Sequence, residues 1–259
     1  MKSREIIKKI EAKWEPRYAC DWDNVGLLVG DANKDVKHIL VALDATEGVI
    51  AQAIEMKADM IISHHPMIFS AMKSVTNENF IGRRIINLIK HDISCYAAHT
   101  NFDITEMVRL NEESIELECT KVLQVTMEED VLQGFGRYGK IKKPSSLEDF
   151  AQYVKQQFNI EEVRIFGDPK REIKTAAISG GAGNSMVDDA IKVGVDVLVT
   201  GDISHRRGLD AIAAGMAIID AGHYGTEWVF VPFVVETLSH MFPEVKVSMA
   251  KETTPFWTA

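Results

Sequence analysis

The stretch Met60-Ile61-Ile62-Ser63-His64-His65-Pro66 decides how this chain is to be read. A short, continuous apolar run ends in two adjacent histidines and a proline. Such runs mark strands buried on both faces. Neighbouring strand residues point to opposite faces, so regular geometry would send the two imidazoles apart. A strand end that breaks into a loop at Pro66 lifts that limit and lets both rings reach two ions lying side by side. The plain alternative is one packed, hydrogen-bonded histidine and one exposed histidine. Imidazole is the commonest metal ligand, which keeps the first reading open.

Upstream, Ile39-Leu40-Val41-Ala42-Leu43 is a second buried strand, and Asp44-Ala45-Thr46 ends it. Thr46 is placed to cap a helix through Val49, Ile50, Ala53 and Ile54. Downstream, a polar loop reaches Asn79, followed by a helix through Ile81, Ile85, Ile86, Leu88 and Ile89. The strand Ser94–Ala98 then runs into His99-Thr100-Asn101-Phe102-Asp103. This β-α-β-α-β order calls for a parallel sheet with right-handed crossovers. Ligands of such sheets collect beyond the carboxyl ends of the strands. His64, His65, His99 and Asp103 all fall there.

At the start of the chain, Ile6, Ile7, Ile10 and Trp14 repeat at helical spacing up to Pro16. Asp21-Trp22-Asp23-Asn24-Val25-Gly26-Leu27 follows, dense in turn-formers. It reads either as a structural loop pinned by Trp22 or as part of a site.

The composition shifts between about Val122 and Arg171. Val131–Gly139 alternates and is rich in glycine, which suggests antiparallel strands. Ser145-Ser146-Leu147-Glu148 fits a capping box ahead of a helix through Phe150, Tyr153, Val154 and Phe158. Val163–Phe166, Thr175–Ser179, Val195–Thr200 and Ala217–Ile219 read as strands, with a helix through Leu209, Ile212 and Ala213. Gly180-Gly181-Ala182-Gly183-Asn184-Ser185 joins a strand to a helix. It matches neither the dinucleotide fingerprint nor a P-loop, and reads as a tight turn or a phosphate cradle. His223 and Glu227, four apart, share a helix face and can grip one ion. The helix continues through Trp228, Phe230, Val231, Phe233 and Val234, and Val245–Ser248 forms an edge strand.

With 259 residues, 46% hydrophobic and 26% charged, the chain has the balance of a globular protein of one large or two modest domains. A net charge of −9 argues against a general nucleic-acid surface. Cys20, Cys95 and Cys119 form neither a disulfide framework nor a zinc pattern, which favours a reducing compartment. No apolar run approaches the ~20 residues of a membrane span. Met1-Lys2-Ser3-Arg4-Glu5 leads into mixed charges, unlike a signal-peptide core. The expected location is the cytoplasm.

Seven stretches in order carry a resemblance: Asp21–Leu27, Ala42–Thr46, Ser63–Pro66, Lys73–Thr76, Ala98–Asp103, Thr200–Asp202 and Ala221–Glu227. Together they resemble the GTP cyclohydrolase 1 type 2 homolog family, also called the NIF-three-like or dinuclear metal-centre hexameric family. The resemblance implies that His64, His65, Asp103, His223 and Glu227 ligate two divalent metals, with His99 beside them. It implies two α/β domains, each around a mixed or mostly parallel sheet, the second inserted into the first. The boundaries expected are residues 1–124 with 223–259 for the metal-binding domain, and 125–222 for the smaller inserted one. It also implies a homo-oligomer, a ring of six. The apolar tail Thr254-Pro255-Phe256-Trp257 fits burial in an assembly.

Two departures from the family pattern stand out. Met107-Val108 occupies the place of a glycine pair next to the expected metals, where the backbone cannot turn as glycine would allow. Arg206 stands where the family often has a histidine and cannot take its place in proton transfer; the neighbouring His205 is the substitute.

Three imidazoles and two carboxylates suit zinc, iron, manganese, cobalt or nickel and not calcium. The function expected is a metal-dependent hydrolase acting on a small molecule of the nucleotide, purine-like or phosphorylated kind, with His99 or His205 relaying a proton. The rival expectation is a non-catalytic metal-binding ring that acts as scaffold, regulator or metal store. A ring that threads nucleic acid would need a basic wall that the charge does not promise.

Overall fold

The computed structural model describes residues 1–128, 130–252 and 254–258. In chain order the first part gives α1 (Ser3–Lys13), β1 (Gly26–Val29), β2 (His38–Ala42) and α2 (Glu47–Glu55). It continues with β3 (Met60–Ser63), α3 (Phe80–Lys90), β4 (Ser94–Ala97) and the short α4 (Thr100–Phe102). A π-helix, Asp103–Met107, leads into α5 (Val108–Ser114), β5 (Leu117–Glu128), β6 (Leu132–Ser146) and α6 (Leu147–Phe158). Then come β7 (Arg164–Phe166), β8 (Glu172–Ala182), α7 (Val187–Val193), β9 (Val197–Gly201) and α8 (His205–Ala213). The chain finishes with β10 (Ala217–Asp220), α9 (His223–Glu227), α10 (Phe230–Met241) and β11 (Lys246–Met249).

Two compact α/β units result, Met1–Phe102 with Phe230–Ala259, and Asp103–Val229. These boundaries correct the expected ones. Leu117–Glu128 pairs along its length with β6, so the second unit begins before residue 125. It also keeps α9, which packs on β8 and β9. His223 and Glu227 therefore belong to the inserted unit and not to the first.

The sheet of the first unit has the order β1-β4-β3-β2-β11. Strands β11, β2, β3 and β4 are parallel, as the alternation of strands and helices predicts. The edge strand β1 is antiparallel to β4 and emerges from a stretch read as loop; Gly26 pairs with Ala97. Every residue of β2, β3 and β4 is buried, consistent with their unbroken apolar character. Leu40, Ile61 and Cys95 pack under α2 and α3 with Val49, Ile50, Ile85 and Leu88. The alternate residues point to the other face, and α10 packs on β2 and β11. Thr46 caps α2 as expected, its side chain accepting from the Val49 N–H.

The second unit holds the order β5-β6-β8-β9-β10-β7. β8, β9 and β10 are parallel, while β5, β6 and β7 join antiparallel, so the sheet is mixed. Two-residue periodicity divides its core. Ala176, Ile178, Val197, Val199, Ala217 and Ile219 face α6 with Leu147, Phe150 and Val154. Ala177, Leu198 and Ile218 face α7 and α8 with Val187, Ala190 and Ala211.

Two local readings need correction. The cap of α6 is Ser146, whose hydroxyl accepts from the Asp149 N–H at 3.1 Å and donates to the Asp149 carboxylate at 2.7 Å, one residue later than the pair expected. Helix α8 turns Gly208 and Ala211 inward and leaves Leu209 and Ile212 exposed. A Cβ at Gly208 would lie 2.2 Å from the Phe166 ring, so only the small-residue face can approach that closely.

Candidate metal centre

The first unit gathers three imidazoles beyond the ends of β3 and β4. The ladder continues past the strand, with His64 N–H donating to Ala42 O at 3.2 Å and His65 N–H to Leu43 O at 3.0 Å. The Ser63 hydroxyl donates to His65 O at 2.9 Å. This anchored turn brings both rings to one side, with centroids 4.9 Å apart, and His99 lies 5.2 and 5.5 Å from them. One ligand nitrogen from each of the three falls within 4.8 Å of the others. Behind His64 stands an aromatic wall, Phe230 at 4.9 Å and Phe102, itself 4.8 Å from Phe230.

Each of these rings has Nδ1 on an oxygen. His64 meets Ala98 O at 2.8 Å, His65 meets Asp44 at 3.0 Å and His99 meets Asp23 at 2.9 Å. Oxygen acceptors at Nδ1 place the proton there and the lone pair on Nε2, which is how metal-ligating histidines are oriented. The supports are themselves held. Glu252 accepts the N–H groups of Leu43 and Asp44 at 2.7 and 3.2 Å, which fixes the loop carrying Asp44. Asp23 accepts from His99 and from both the N–H and hydroxyl of Thr100. Burial pushes the Asp23 carboxyl up, but the hydrogen bonds from His99 and Thr100 outweigh it and hold the group well below the usual carboxylate range.

The second unit brings together Asp103, His223 and Glu227. Asp103 opens the π-helix, and a carboxylate oxygen of it lies within 4.8 Å of Glu227. On α9, His223 Nε2 is 3.1 Å from Glu227 Oε2, as spacing four predicts, while His223 Nδ1 meets Asp202 at 2.9 Å. Burial lowers the His223 pKa, yet the adjoining carboxylates of Glu227 and Asp202 more than reverse this and lift it to about 9. Glu227 itself is buried.

The glycine-rich stretch after Ser179 ends in a tight 3-10 turn, Gly183–Ser185, the turn that the sequence suggests, and its first two glycines have a further purpose. Gly180 and Gly181 extend β8, and their missing side chains admit Glu227: a Cβ at Gly181 would lie 2.3 Å from Glu227 Oε1. Asn184 donates to Asp202 O at 2.9 Å and accepts from the Ser204 N–H at 3.0 Å, so it braces the loop that orients His223.

The structure therefore sets His64, His65 and His99 in one unit, and Asp103, His223 and Glu227 in the other. His205 is the first residue of α8 and exposed, and no metal-holding group among the described residues includes it. Asp23, Asp44 and Asp202 are the supporting residues that periodicity did not single out. Their signal was an aspartate in each of three short stretches at strand boundaries, and only the fold pairs each with its histidine. Trp22 does not pin its loop; Asp23 and Asn24 do so, the latter donating to Ile68 O at 2.6 Å.

The model of the Duf34/NIF3 (NGG1p interacting factor 3) family matches residues 1–255. A Clostridium perfringens protein named "GTP cyclohydrolase 1 type 2 homolog" is 37% identical over 230 residues, covering 88% of this chain and 87% of the relative. A Streptococcus pneumoniae protein of the same name is 36% identical, covering 92% and 91%. Among solved structures, a hypothetical protein of Staphylococcus aureus superposes with a TM-score of 0.92 at 30% identity, covering 100% of this chain and 99% of that one. A Bacillus cereus protein related to NIF3 gives 0.93 at 25% identity, with the same coverage.

Proposed function

We propose, from the premise that this chain belongs to the Duf34/NIF3 family, that it is a metal-dependent hydrolase acting on a nucleotide or a similar purine-like or phosphorylated compound. His64, His65, Asp103, His223 and Glu227 would hold two divalent ions of the zinc, iron, manganese, cobalt or nickel kind. The observation that carries this is the orientation of the rings. His64 and His65 each have Nδ1 on an oxygen, so each presents Nε2 as a ligand atom. His223, with Nδ1 on Asp202, would give up the Nε2 proton that faces Glu227 in order to ligate. Mixed imidazole and carboxylate donors fit such ions. When bound, paired divalent ions supply a Lewis acid and lower the pKa of water.

The chain's own residues supply the rest. Asp23 fixes the His99 tautomer, so His99 Nε2 is the atom that takes or gives a proton. The name of the relatives suggests GTP as the first substrate to try. Exposed Phe256 and Trp257 support a homo-oligomer, a ring of six in keeping with the resemblance. The three cysteines, Cys20, Cys95 and Cys119, are far apart in the sequence and odd in number, which supports a cytoplasmic setting. No helix among the described residues is long and apolar enough to cross a membrane.

Elemental analysis of the purified protein, followed by a nucleotide and phosphodiester screen with the identified metal restored, tests the reading. About two ions per chain and metal-dependent turnover are expected. Full metal content with no turnover of any compound would leave the scaffold or metal-store role instead.

A further inference from the structure

The loop that carries the exposed Trp22 is held by hydrogen bonds of its neighbours. The Cys20 N–H donates to Thr100 Oγ1 at 2.9 Å, and the Asp23 N–H donates to Cys20 O at 2.9 Å. The Asp23 carboxylate binds His99 and Thr100, and Asn24 Nδ2 clamps Ile68 O. The backbone on both sides of Trp22 is tied down, yet its side chain is 60% exposed. Fixing a backbone without burying its largest apolar side chain forgoes the stabilisation that burial gives.

The Asn24 clamp holds the backbone carbonyl of Ile68, the residue before Phe69. Phe69 is 56% exposed, and its ring lies 5.8 Å from that of Trp22 with the planes inclined at 47°. The Trp22 indole also meets His99 edge-to-face at 6.1 Å. Two exposed aromatic rings on tied-down backbone thus border the imidazole cluster, within one unit. Small-molecule sites have this character, aromatic walls beside a few placed polar groups. Planar heteroaromatic rings are what such walls hold, because every nucleobase has a π-face to stack.

We propose that Trp22 and Phe69 form an aromatic platform on which the flat heteroaromatic ring of the substrate, such as a purine base, stacks beside His99. The inference rests on the nucleotide-hydrolase reading and adds the residues that would recognise the ring. A second copy of this chain covering the pair would be the rival occupant. The hydrogen bonds to His99 and Thr100 favour the substrate, since they tie the platform to the imidazoles.

The test compares the full-length protein with Trp22→Ala, Trp22→Phe and Phe69→Ala. Calorimetric titration with guanosine 5′-monophosphate and with ribose 5-phosphate is run beside elemental analysis and light scattering. Trp22→Ala should weaken the nucleotide about tenfold while leaving ribose 5-phosphate unchanged. Trp22→Phe should recover most of the loss, Phe69→Ala should give a smaller one, and metal content should hold. Equal nucleotide affinity in wild type and Trp22→Ala, or no preference of the wild type for the nucleotide, overturns the platform. A fall in molar mass on Trp22→Ala with unchanged nucleotide binding also overturns it and assigns the pair to a contact between copies. Failure of the hydrolase reading shows separately, as wild-type protein that holds no metal or turns over no substrate.

Discussion

The carboxylate of Asp23 accepts the Nδ1 hydrogen of His99 at 2.9 Å, and its side chain is wholly buried. The same carboxylate takes both donors of Thr100 and the Asn24 N–H, so four hydrogen bonds converge on one charged group. Asp23→Asn puts an NH₂ where a donor already stands. Urea denaturation of the metal-free variant should show a loss of about 1–3 kcal/mol, the cost of a buried polar group left badly paired. A change under ~0.5 kcal/mol would mean that the pair contributes nothing to the loop.

Glu227→Gln keeps the shape of the side chain and removes its charge. Two dications would then have Asp103 as their one anionic protein ligand among the proposed five. Metal content per chain after dialysis should drop by at least one ion, with an unchanged circular dichroism spectrum. Full retention of metal would remove Glu227 from the ligand set.

Gly181→Ala meets two obstacles. Gly181 has φ +69°, and the added Cβ would stand 2.3 Å from Glu227 Oε1. Backbone strain and overpacking together should cost about 2–4 kcal/mol and displace Glu227, lowering metal content as well. Gly194 shares the left-handed backbone at +74° but has nothing within 4 Å of the added Cβ. Gly194→Ala should therefore cost only the strain, about 1–2 kcal/mol, and leave metal content alone. Equal losses in the two variants would show that Glu227 has room to move aside.

Asp196 gives the pH dependence. Burial raises its pKa, but the N–H groups of Lys174 and Thr175, the Thr175 hydroxyl and Arg171 outweigh this and lower it. A lowered folded pKa means that the contribution is complete above the unfolded value, about 3.9. It is then lost as the pH falls through the folded value. Asp196→Asn should be less stable than wild type at pH 7, and the gap should narrow below about pH 4. Denaturation midpoints across that range decide it; a constant gap would assign the effect to packing.

The sequence alone determined the elements whose periodicity is set locally. Buried strands such as Ile39–Ala42 and Met60–Ser63 are continuous apolar runs, and the order of strands and helices fixed a parallel core. The pairing of His223 with Glu227 was legible too, because helical spacing is a local rule. The edge strand Gly26–Val29 was not, since its pairing with β4 is a long-range contact hidden behind turn-forming residues. Nor was the inward face of α8, where the close approach of Phe166 favours Gly208 and Ala211 over larger apolar neighbours. The unit boundaries depended on which strand β5 pairs with, a matter of tertiary hydrogen bonding. The partners of the histidines were decided in the same way. Asp23 is 76 residues from His99, and Asp44 and Asp202 are each 21 from theirs. No helical or strand period spans such distances, so only the folded chain could select which aspartate orients which imidazole.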